Sequence, residues 1–73
     1  MDKPTAEFAI KTLLSEIRSQ LDDAASIAKA AQACAAAGNV AKGVEVALGL
    51  EQPVYEAGRL LDAASLINRL ARE

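Results

Sequence analysis

Seventy-three residues with a net charge of −2 and mean hydropathy of +0.14 make one small domain, and 17 Ala among the 52% hydrophobic residues leave only 21 larger apolar side chains to drive folding. The absence of His and Trp, with a single Cys and one each of Tyr, Phe and Met, removes most of the usual means of general acid–base catalysis, thiol chemistry and metal ligation. No enzyme is expected, and no catalytic, cofactor-binding or metal-ligating residue, nor a small-molecule substrate.

The charge is spread along the chain, 8 basic against 10 acidic residues, with no Lys or Arg stripe to neutralise successive phosphates. Nucleic acid is therefore not an expected partner. The longest uncharged run, 30–41, is rich in Ala and falls short of the roughly 20 apolar residues of a bilayer-spanning helix, so no membrane association is expected. The start Met-Asp-Lys-Pro lacks the apolar centre of a signal peptide, and one Cys cannot make an internal disulfide. Both features suit the cytoplasm.

The first element begins near Pro4 and Thr5, with Thr5 as N-cap and Glu7 at the positive end of the helix dipole. No Gly or Pro follows before Gly38. Apolar residues recur at three- and four-residue spacing, namely Ile10, Leu13, Leu14, Ile17, Leu21, Ala24, Ala28, Ala31 and Ala35, against a polar face that includes Lys11, Arg18, Asp22 and Lys29. The pattern predicts one long amphipathic helix over 5–37. Glu7 with Lys11, and Arg18 with Asp22, are spaced to pair along it.

Gly38 suits the left-handed position that ends a helix, and Asn39 can cap the next one. A turn this short sends the chain back antiparallel, as a helical hairpin. A short helix over 40–48 follows, with Val40, Val44, Ala47 and Leu48 as its apolar edge and Gly43 at the border, where a missing side chain permits close approach. Gly49, Leu50 and Pro53 then predict a break or sharp kink at 49–52, with Tyr55 covering it. The last helix is expected over 53–72, with Ala57, Leu60, Leu61, Ala64, Ile67 and Ala71 on one face. Leu66 and Leu70 flank that stripe, so the apolar arc is wider than one neighbouring helix needs.

The expected fold is an all-α antiparallel helical hairpin forming a single domain over 1–73, with two hairpins joining into a four-helix bundle. A chain of this length buries only about 60% of its unfolded surface, and its Ala-rich seam is thin, so a homodimer is expected. Phe8, projecting toward the polar side of the first helix, together with Leu66 and Leu70, is the candidate partner or dimer interface. Cys34 reads as a small packed hydrophobe, and Glu16, Asp23, Glu45, Glu56 and Asp62 as solvated carboxylates. A non-enzymatic interaction module that binds itself and a partner protein is the functional expectation. In architecture the pattern is similar to the small helical-hairpin co-chaperones of type III secretion needle subunits, which implies a chaperone or adaptor covering an amphipathic client helix as the alternative. A small regulator of nucleic-acid transactions is a further alternative, which requires Arg18, Lys29, Arg59, Arg69 and Arg72 to converge.

Overall fold

A computed structural model describes residues 2–72, all but the first of which lie in helices or in the turn between them. Helix α1 spans Lys3–Ala36, α2 Val40–Ala47 and α3 Glu51–Arg72. A single 3-10 turn, Leu48–Leu50, joins the last two. The 34 residues of α1 span about 51 Å at 1.5 Å per residue, close to the 54 Å long axis of the whole molecule. The return arm of α2 and α3 therefore lies alongside α1, and both of its helices pack against it. The result is a two-helix rod.

Helix α1 starts earlier than the Thr5 cap predicts. Asp2 is the N-cap, its Oδ2 accepting from the Thr5 amide at 3.1 Å; the Thr5 hydroxyl and then this amide, as hydrogen-bond donors, hold the Asp2 carboxyl below its ordinary pKa. Pro4 falls within the first turn, where amides lack intrahelical acceptors and a residue without N–H forfeits nothing. Of the two expected ion pairs, Arg18 and Asp22 approach to 3.9 Å in full solvent, whereas Glu7 and Lys11 do not pair.

The turn forms where the sequence places it. Gly38 has φ +97°, and among the described residues it is the only one with positive φ. Its amide donates to the Ala35 carbonyl and that of Asn39 to the Cys34 carbonyl, each at 3.0 Å, satisfying acceptors that the helix end leaves free. Asn39 then caps α2, Oδ1 accepting from the Lys42 amide at 3.1 Å.

Two expectations for the return arm are corrected. The exposed edge of α2 is Val40, Val44 and Leu48, while Gly43, Val46 and Ala47 face α1. Gly43 sets this rotation, since a Cβ there would lie 2.8 Å from the Ala31 carbonyl oxygen and 3.3 Å from Ala35 Cβ. Of the break or sharp kink expected at 49–52, the full break gives way to a 3-10 interruption in otherwise helical backbone, with right-handed dihedrals at Ala47, Leu48 and Glu51. Glu51 donates to the Leu48 carbonyl, a tightened bond that carries the chain into α3 two residues before Pro53. Pro53 then lies in the first turn of α3, which tolerates its ring. Hydrogen exchange should accordingly show a dip in amide protection at 49–52, with protected amides on both sides. A fully unprotected stretch there would restore the break.

Packing explains why the arm stays continuous. Ala6, Ile10, Leu13, Ile17, Gln20, Ala24, Ile27, Ala31 and Cys34 of α1 alternate steps of three and four, and every one is buried or half-buried. So is the matching series Gly43, Val46, Leu50, Pro53, Ala57, Leu60, Ala64, Ile67 and Ala71 on the return arm. This seven-residue repeat runs without a skip across the 3-10 turn and Pro53, the pattern of a two-helix coiled coil. The buried positions themselves are small: Ala6, Ala24, Ala57, Ala64, Gly43 and Pro53. Among the described residues no polar or charged side chain is buried.

Candidate functional site

With the seam assigned, the repeat places the remaining apolar residues on the sides of the rod. In an antiparallel pair, residues just after one set of seam positions meet their counterparts on the other arm along one flank, and residues just before the other set meet along the opposite flank. Two shallow grooves identify the flanks. One, of about 400 Å³, brings Lys3 and Glu7 of α1 beside Asn68 and Arg72 of α3. The other brings Asp23 and Ser26 beside Gln52 on the opposite side of the seam.

The flank of the first groove becomes apolar one turn further from the open end of the hairpin. Leu14 lies level with Leu61, and Leu21 with Val54, and these four side chains remain between 49% and 58% exposed. Two more levels follow toward the turn, Ala28 with Ala47 and Ala35 with Val40. Four levels seven residues apart make a stripe about 32 Å long. It carries no charge between Glu7 and the turn. The opposite flank differs in kind, because Glu16, Asp23 and Glu56 interrupt it and Leu70 lies beyond them near the chain ends.

The three candidate interface residues are all exposed. Phe8 is 73% exposed on the outer side of α1. Leu66 and Leu70 are 45% and 43% exposed, one turn apart on the edge of α3 that borders the acidic flank. They form a local patch outside the apolar stripe. Leu14, Leu21 and Leu61, expected among the inward-facing residues of their helices, supply the stripe instead. Adjacent leucines at 13 and 14, and at 60 and 61, marked this second face in the sequence.

Cys34 is half-buried in the seam, level with Gly43. Tyr55 is exposed, its hydroxyl accepting from Arg59 Nη1 at 3.0 Å, with the guanidinium carbon 5.7 Å from the ring centroid. Arg18 pairs with Asp22 and Arg59 with Tyr55, while Lys29 lies toward the turn and Arg72 at the open end, so the basic side chains are dispersed along the rod. Among the described residues no group of three His, Cys, Asp or Glu converges as metal ligands, and no helix is long and apolar enough to cross a membrane.

Comparison with known proteins finds no matching family model, curated protein or solved structure. What the surface offers is contact area: a straight, uncharged double row of aliphatic side chains on a narrow rod.

Proposed function

We propose that this chain is a non-enzymatic helical interaction module that self-associates as a homodimer, two hairpins forming a four-helix bundle, and that also binds a partner protein. The observation that carries this reading is the distribution of apolar side chains. The seam encloses small residues, whereas among the described residues eleven large apolar ones, from Phe8 to Leu70, stay exposed. Covering part of them with a second hairpin adds the aliphatic burial that a lone rod 14 Å across lacks. A cytoplasmic location accords with the single Cys.

Association makes stability depend on protein concentration. Sedimentation between roughly 1 and 100 µM should show a mass rising toward twice 7.6 kDa, with the melting temperature rising in parallel. A constant monomer mass at both ends of that range overturns the homodimer.

A second reading, a chaperone or adaptor for an amphipathic client helix, draws on the same stripe. Two rows of side chains from neighbouring helices make the walls of a groove that one helix can fill. Under that reading the isolated chain is monomeric, and the client helix rather than a second copy occupies the flank.

A further inference from the structure

We propose that the second copy docks on the Leu14 to Val40 flank with its rod antiparallel to the first, the two-fold axis crossing between the Leu21/Val54 and Ala28/Ala47 levels. This rests on the self-association proposed above and names its surface and geometry.

Charge selects the flank. A two-fold contact through the opposite side would set the carboxylates Glu16, Asp23 and Glu56 of one copy against those of the other, whereas the apolar flank has no charged residue within its four levels. Size selects the direction. The stripe is bulky toward the open end, with three Leu and a Val, and small toward the turn, with three Ala and a Val. Antiparallel docking lays each bulky half on the other copy's small half and keeps the rods evenly spaced. Parallel docking would stack Leu on Leu at one end and leave Ala facing Ala across a gap at the other.

The rim agrees. In the antiparallel arrangement α1 lies beside α1 of the second copy and Ala25 sits at the axis against its twin, where two small side chains allow close approach. On the return arm Val44 comes over Gly58, an exposed glycine in a helix interior with nothing within 4 Å of an added Cβ. Glu51 faces its twin at the solvent edge, where screening keeps the repulsion small. With the axis at that level the two rods overlap over about 40 Å, and the 14 Å width then sets a footprint of about 560 Å² per copy, below the roughly 800 Å² of a standard interface and matched to a dimer that dissociates on dilution.

Cross-linking tests the geometry without disturbing the fold. In a Cys34→Ala background, Ala25→Cys should oxidise to a disulfide-linked dimer, and Ser65→Cys, far from the axis, should not. The double substitution Leu21→Lys and Val54→Lys should weaken dimerisation roughly 100-fold or more, whereas Leu66→Lys with Leu70→Lys should leave it within a few-fold. A wild-type dimer in which Ala25→Cys fails to cross-link, or in which the Leu66 and Leu70 pair controls assembly, overturns the interface but leaves self-association standing. A wild-type monomer overturns both.

Discussion

Replacing Gly43 with Leu is expected to lower the unfolding free energy by about 3 kcal/mol, at the upper end of overpacking costs. Even the first added carbon meets the Ala31 carbonyl oxygen at 2.8 Å, and that oxygen belongs to the backbone of α1, which cannot rotate aside. Helix α2 must therefore lift away, taking Val46 and Ala47 off α1 and exposing the Ala-rich end of the seam. Gly43→Ala should cost less, because the better helix propensity of Ala returns up to about 1 kcal/mol. Gly49→Ala provides the contrast, since its Cβ would sit 3.7 Å from Ile27 Cγ2, an ordinary contact. That variant should be neutral or more stable. Urea denaturation of the three at one fixed protein concentration checks the order, and a Gly43→Leu curve superimposed on wild type would mean that α2 does not lie on α1 at this distance.

The second large effect belongs to Gly38 and has a different cause. Nothing lies within 4 Å of a Cβ added there, so space is not the constraint. The constraint is φ +97°, which L-residues occupy at a cost of roughly 1–2 kcal/mol, and a β-branched side chain falls at the unfavourable end. Gly38→Val should lower stability by about 2 kcal/mol, while Gly38→Asn, which tolerates the left-handed region better, should lose less than half of that. The loss reads directly as a shift of the thermal midpoint. An unchanged melting curve for Gly38→Val would refute the hairpin turn.

Much of this architecture was legible along the chain because its signals are local. The three- and four-residue spacing of Ile10, Leu13, Ile17 and Ala24 declares a helix whatever it packs against. Gly38 followed by Asn39 ends one helix and caps the next through bonds among residues 34–42. The N-terminal boundary went astray for an equally local reason. Pro4 and Thr5 carry the entrance signal, while Asp2, upstream of both, has the acceptor that reaches the Thr5 amide, and Pro4 fits inside the first turn. At Pro53 the same local reasoning overstated the break, since the seven-residue repeat from Gly43 to Ala71 stays in phase across it and holds both halves of the arm on α1.

The sequence by itself determined that the chain is helical, where it turns, and that its core is built mostly of small side chains, because helix periodicity, turn conformation and capping act over a few residues. Only the tertiary structure decided how far each helix is rotated about its own axis. Leu13 and Leu14, or Leu60 and Leu61, lie about 100° apart on a helix surface, while Val44 and Val46 lie on opposite faces of α2, and in each pair either member can point inward without changing any local bond. The choice was made by contact between distant segments, above all by the absence of a side chain at Gly43, which draws α2 against Ala31 and Ala35. That rotation puts Leu13, Leu60 and Val46 in the seam and turns Leu14, Leu21 and Leu61 outward. Pairing a residue near the start of the chain with one near its end is a tertiary event, so the apolar flank they form came into view only when the two arms lay side by side.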